Sequence, residues 1–100
     1  MVSVALLARL VAKPGKEEEV AAFLKSALPL AQAEKDTTVW FALRLSEREF
    51  GIFDAFPSDA GRKAHLGGPI AAALMAKASE LLAEPPRIDQ VDVLAAKLSG

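Results

Sequence analysis

The sequence has no cysteine, no tyrosine and no asparagine, and only one histidine and one tryptophan. The missing cysteines exclude disulfides, thiolate metal sites and a cysteine nucleophile. One histidine among scattered carboxylates lacks the spacing of a metal-ligand set, so no metal site is expected. Gly67-Gly68-Pro69 has neither a preceding strand nor a following Lys-Ser/Thr, so it is not a phosphate-binding loop. No Ser-His-Asp order stands out. No apolar run approaches the length of a membrane span. Lys and Arg total 12 against 13 Asp and Glu, for a net charge of −1, and no basic cluster forms a nucleic-acid footprint. The opening MVSVALLARLVA lacks a basic start and carries Arg9 inside its apolar run. It leads into Lys13-Pro14-Gly15 rather than a cleavage site, so it reads as a first strand and not a signal peptide. A cytoplasmic protein is expected.

What is present is apolar bulk. One hundred residues suit a single domain, here 1–100, and 52% of them are hydrophobic. That is slightly rich for so small a domain and suggests a second buried surface, against a partner subunit or a ligand.

The pattern along the chain gives the elements. Val2 to Ala12 is aliphatic and partly β-branched, a buried strand ended by Pro14-Gly15. From Lys16 to Glu34, Val20, Phe23, Leu24, Ala27, Leu28 and Ala31 share one helical face. Glu17, Glu18 and Glu19 suit the positive end of that helix, and Pro29 predicts a kink or break. Thr37 to Leu45 and Phe50 to Phe56 read as an antiparallel hairpin. Ser58 is a candidate N-cap for a short helix, interrupted at Gly67-Gly68-Pro69. Ile70 to Ala83 is a second helical piece, stopped by Pro85-Pro86. Arg87 to Leu98 is a long final strand.

The order β-α-β-β-α-β predicts an α+β, ferredoxin-like fold: a four-stranded antiparallel sheet with helices on one face. The strands are nevertheless apolar on both parities, with Val39, Phe41, Leu43 and Leu45 on one and Trp40 and Ala42 on the other. The uncovered face needs a partner. Two chains stacking their sheets as a homodimer, a dimeric α+β barrel, supply it, and the long last strand is placed to cross over.

Several segments resemble the antibiotic biosynthesis monooxygenase-like family: Lys13-Pro14-Gly15-Lys16-Glu17-Glu18, Leu28-Pro29 running into Ala33-Glu34, Trp40-Phe41, and FDAFPSDAGRKAHLGG from Phe53 to Gly68. The resemblance spans nearly the whole chain. It implies a dimeric α+β barrel and, in some members, cofactor-free oxygenation of quinols, anthrones or related phenols. Other relatives degrade haem, isomerise small molecules or have no known activity. The haem-degrading and polyketide-oxidising mechanisms rely on an asparagine, and this chain has none. The family's Pro-Gly turn after the first helix is Lys35-Asp36 here.

A cofactor-free oxygenase needs a dry pocket, a base and donors for the substrate anion. His65 is the expected base, its unperturbed pKa lying nearest neutrality. The alternative is a helix residue that caps a carbonyl near Gly67-Gly68. Trp40 is expected to donate its indole N–H to a substrate oxygen and to stack on an aromatic ring, or else to be a core residue. Arg44, on the same strand face, is placed to meet a substrate anion or a rim carboxylate. Arg62, three residues before His65, is a further binding candidate, with a salt bridge to Asp59 as its alternative. Phe23 and Phe53 are expected to line the pocket. Gly51 leaves room for a neighbour or a bulge. Asp54 shares its parity with Ile52 and Phe56, so its carboxylate needs a partner, with Arg9 or Lys97 as candidates. Asp92 reads the same way. The expected ligand is a small hydrophobic aromatic molecule, with no cofactor, nucleic acid or membrane. A non-enzymatic binding or stress-associated module and an oxygen-independent isomerase or lyase share the same features.

Overall fold

A computed structural model describes residues 1–98. The elements are β1 (Val4–Val11), α1 (Glu17–Ser26), α2 (Leu28–Ala33), β2 (Val39–Arg44), β3 (Glu49–Phe56), α3 (Asp59–Leu66), α4 (Pro69–Leu81) and β4 (Arg87–Asp92). The four strands form one antiparallel sheet in the order β2-β3-β1-β4. This is the ferredoxin-like α+β arrangement expected from the element order.

Local chemistry sets the boundaries. Gly15 turns the chain out of β1 at φ +86°, a region that favours glycine. The first helical stretch divides at Ala27. Pro29 then sits at the start of α2, where its missing N–H costs no helix bond. Ser58 occupies the N-cap position of α3, but its side chain makes no capping bond. At Gly61 an added Cβ would lie 2.8 Å from Asp36 Cβ, so α3 packs tightly on the α2–β2 loop only because this residue has no side chain. Gly51 keeps regular pairing without a bulge, and Leu45 packs over it.

The final strand is shorter than the expected Arg87–Leu98. It pairs only with β1, and the register ends at Val4↔Asp92. One more bond joins Val93 N–H to the Ser3 carbonyl. Past it, β1 offers no further partner, so residues 94–98 lie outside the sheet with Leu94 almost fully exposed.

The sheet's two faces differ. On the helix side, Ala8, Leu10, Phe50 and Ile52 pack with Val20 and Leu24 of α1 and Leu74 and Leu81 of α4. Asp54 interrupts this apolar side, in register with Leu6 on β1 and Trp40 on β2. The opposite side carries the row Phe41–Phe53–Leu7 and the row Val39–Ala55–Ala5–Val91. Phe41 there is 55% exposed.

Leu10 is among the most buried large side chains. Leu10→Ala removes its methyl groups and leaves a cavity between β1 and α1. A loss of about 2–5 kcal/mol is expected in urea unfolding, with the fold retained.

Candidate functional site

The charged residue on the apolar side of β3 finds its partner in the histidine of α3. Asp54 Oδ2 lies 2.8 Å from His65 Nε2. The other ring nitrogen, Nδ1, lies 2.5 Å from Glu34 Oε1. Glu34 stands at the C-cap of α2, and its backbone N–H bonds the Ala31 carbonyl. The Thr37 hydroxyl donates to the same Oε1 at 2.6 Å. The imidazole also rests near the ring of Phe56, with centroids 5.4 Å apart. One buried histidine thus ties together the α2–β2 loop, helix α3 and strand β3.

Burial alone pulls the His65 pKa down. Hydrogen bonds to Asp54 and Glu34, and the charges of both, more than reverse this and raise it from 6.5 to about 9. At neutral pH the ring is therefore an imidazolium that donates both N–H groups to carboxylates. Both ring nitrogens of the residue expected as the base are thus engaged by carboxylates. Neither nitrogen caps a carbonyl, as the alternative required. Asp54 pairs with neither Arg9 nor Lys97, because β3 aims it at α3. Arg9 lies on the opposite side of the sheet, in register with Gly51 and Arg87.

Among the described residues, three buried polar atoms in and near this cluster have no hydrogen-bond partner: Asp54 Oδ1, Glu34 Oε2 and Trp40 Nε1. Such atoms are uncommon in folded proteins, where buried polar groups nearly always have a protein or water partner. Beside Asp54 and His65 is a cavity of about 30 Å³, otherwise lined by apolar residues that include Leu6, Ile52, Ile70, Leu74 and Ile88. On the far side of His65, Glu34, Asp36, Thr37, Gly61 and Gly68 line an outer cleft of about 180 Å³. Among the described residues no group of three or more His, Cys, Asp or Glu side chains is arranged to hold a metal.

The other candidates are distributed as follows. Trp40 is next to Asp54 across the β2–β3 ladder and packs on Ile70 and on Ala27 and Ala31. His65 and Trp40 therefore flank the same carboxylate. Arg44 shares Trp40's strand face, as expected, but sits at the other end of β2, opposite Phe50. Its guanidinium stacks over the Phe50 ring, bonds the Glu47 carbonyl at 2.9 Å and pairs with Glu18 at 3.3 Å. It borders a separate cleft of about 260 Å³ between α1 and β2. Arg62 is buried and engaged. It binds Asp59 through Nε and Nη2 and donates from Nη1 to the Ala5 and Val91 carbonyls. It stitches α3 to β1 and β4, as the salt-bridge alternative anticipated, and offers no donor to the His65 cavity. Phe23 packs against the α1–α4 core beside Leu10 and Leu74, away from His65. Phe53 points to the opposite side of the sheet, because its position alternates with Ile52 and Asp54. Asp92 ends β4, exposed.

Glu34 is the site residue that sequence reasoning did not single out. The signal for Asp54 was its parity among apolar neighbours. For Glu34, 31 residues from His65, only the fold supplies one.

His65 is the only histidine, so its ring gives a single resolved Hε1 resonance. Its titration midpoint is expected near 9 rather than 6.5. The sign for stability follows. The folded state holds the proton more tightly, so the stabilisation is complete below pH 6.5. It is lost as pH rises through about 9. Urea midpoints between pH 6 and 10 check this, and His65→Gln should remove that decline.

No protein-family model and no curated protein matches the chain. Solved structures do. One, titled "Putative antibiotic biosynthesis monooxygenase", from Nitrosomonas europaea, aligns at TM-score 0.81 and 14% identity over 92% of this chain and 90% of its own. Another of that title, from Bacteroides thetaiotaomicron, aligns at 0.73 and 20% identity over 98% and 95%. These show a shared fold. The crystal structure of NE2512, a protein of unknown function from Nitrosomonas europaea, aligns at TM-score 0.98 over 100% of this chain and 97% of its own. At 59% identity over that span, the chain belongs to the family of NE2512, built on the antibiotic biosynthesis monooxygenase-like fold.

Proposed function

We propose that the protein is a homodimeric, cofactor-independent monooxygenase that oxidises a small electron-rich aromatic quinol or anthrone with dioxygen. The observation that carries this reading is the buried carboxylate of Asp54. One of its oxygens is held by an imidazolium, and the other is unpaired beside an apolar cavity. Such a group in a dry site is suited to take a proton from a weakly acidic substrate. The fold shared with proteins named as antibiotic biosynthesis monooxygenases supports the same class.

The chemistry needs nothing beyond substrate and dioxygen. An anthrone gives up a proton, and the anion passes one electron to dioxygen. The radical pair combines into a carbon–oxygen bond. The carbon then loses its second hydrogen as the O–O bond breaks, leaving a carbonyl and water. CH2 plus O2 becomes C=O plus H2O, with all four electrons drawn from the carbon. Trp40, its indole N–H buried and unpartnered, supplies a donor for the anionic oxygen.

A second reading is favoured by the size of the cavity. About 30 Å³ admits a water-sized group, not an aromatic ring. Turnover of an aromatic substrate requires this cavity, lined from α3, α4 and the sheet, to widen. A ligand-binding module that seats only a hydroxyl group needs no such opening.

Dioxygen uptake with a panel of anthrones and hydroquinones decides between them. The expected result is uptake above the no-enzyme rate, reduced about 100-fold or more in Asp54→Asn. Ligand binding without uptake favours the module. Turnover that proceeds without oxygen favours an isomerase. The dimer has its own test. Phe41 lies exposed on the helix-free face, so Phe41→Asp should sediment as a monomer where the wild type sediments as a dimer.

A further inference from the structure

Within the reaction proposed above, and resting on that reading, we propose that Asp54 accepts the substrate proton and that Glu34 is the positioning residue that makes this possible, acting through His65. The geometry separates the three roles. His65 gives Nε2–H to Asp54 and Nδ1–H to Glu34, so both ring nitrogens are occupied. Asp54 is 2% exposed at its side chain and uses only Oδ2. Its Oδ1 has no protein partner, and its side chain borders the inner cavity. Among the residues lining that cavity, Asp54 is the one that keeps a carboxylate oxygen without a partner among the described residues.

Glu34 does not reach the inner cavity. It lines the outer cleft, on the other side of the ring. Its Oε1 takes both the His65 N–H and the Thr37 hydroxyl. Its backbone is anchored at the end of α2. The bare backbone of Gly68 lets α4 start close by, since a Cβ there would lie 3.2 Å from the His65 carbonyl and 3.4 Å from Glu34 Oε2. Glu34 therefore fixes the ring plane and keeps a proton on Nδ1 while Nε2 faces Asp54. Without that acceptor, burial favours the neutral ring. A neutral ring facing Asp54 through a bare Nε2 would compete with Asp54 for the proton.

The step balances. The substrate's bond to hydrogen breaks and its electron pair stays on the substrate. The proton forms an O–H bond at Asp54 Oδ1. The imidazolium keeps both its protons, and its charge is matched by Glu34, so the substrate anion forms beside a cluster of zero net charge instead of −1. The proton returns from Asp54 to the peroxide oxygen as water leaves. The charged groups facing the ring are Glu34 from the α2–β2 loop and Asp54 from β3. Lys35 and Asp36 border the outer cleft, and Arg62 on α3 is turned to Asp59.

The test uses 4-nitrophenol, whose phenolate and phenol absorb differently, with the intact protein. Wild type is expected to bind it with its ionisation shifted toward the phenolate, and Asp54→Asn to bind it as the phenol. Glu34→Gln is expected to lower the His65 Hε1 titration midpoint by at least one pH unit and to weaken the phenolate shift. With a turned-over substrate, Asp54→Asn is expected to lower kcat 100-fold or more with KM within about threefold. Glu34→Gln is expected to lower kcat and to move the pH profile, which a merely structural role would not do. A wild type that leaves the probe's ionisation unchanged overturns the proposal. So does an Asp54→Asn protein that still shifts it. If Asp54→Asn does not fold, Glu34→Gln decides: an unmoved His65 midpoint overturns the assignment of Glu34 and the arrangement with it. A phenolate shift that depends on Asp54, found without dioxygen uptake on any substrate, upholds the acceptor while the oxygenase reading fails.

Discussion

The structure turns on one imidazolium held between two carboxylates inside a small domain. Desolvating three charged groups is costly, and such clusters are often no more stabilising than apolar residues of the same volume. An Ile or Leu at position 54 would match Ile52 and Phe56 beside it. Leu at position 65 would suit the Phe56 ring. The chain keeps the charges instead, and leaves one oxygen of each carboxylate without a protein partner. Stability alone is a poor account of that choice. A group that must take and return a proton is a better one, because proton transfer requires an acceptor that the fold has not already saturated.

The same sheet serves two purposes on its two sides, and alternation along β3 keeps them apart. Ile52, Asp54 and Phe56 face the helices, so the charged cluster has α3 as its wall and α4 close by. Phe53 and Ala55 face the other way, where no helix covers them. Phe41, Phe53 and Leu7 run as an apolar row across three strands. A polar site and an adhesive surface thus share one strand without mixing, since a one-residue change of register would exchange them.

Much of this was legible in the sequence, to different depths. The element order followed from periodicity and from Pro and Gly punctuation, and the break near Pro29 from its missing N–H. The misplaced parity of Asp54 was also visible, but its partner was not. Sequence spacing brings Arg62 to Asp59 because they lie one helical turn apart. No spacing brings Glu34 to His65, which depends on how the α2–β2 loop packs on α3 at Gly61 and Gly68. The length of β4 was overestimated for a related reason. Propensity carries a strand reading through Leu98, yet a strand lasts only as long as its neighbour, and β1 ends at Val4. Phe53, expected in the pocket, alternates with Ile52 and Asp54, and that parity turns it to the other face.

A fold of this kind hosts many activities, so the reading of function rests on the site and not on the architecture. The site is narrowed by what the chain does not contain. With no tyrosine, no asparagine and no cysteine, several usual side-chain donors and nucleophiles are missing everywhere in the molecule. Ser and Thr hydroxyls, the amides of the exposed Gln32 and Gln90, basic groups, carboxylates, one imidazole and one indole remain. Arg44 and Arg62 are occupied by Glu18 and Asp59. The Thr37 hydroxyl is spent on Glu34. Lys35 borders the outer cleft rather than the inner cavity. The imidazole is already protonated and doubly bonded at neutral pH. What is left in the lining of the inner cavity is the carboxylate of Asp54, with one oxygen unpartnered among the described residues. In the proposed reaction a substrate hydroxyl gives its proton to that oxygen and so supplies the partner it lacks.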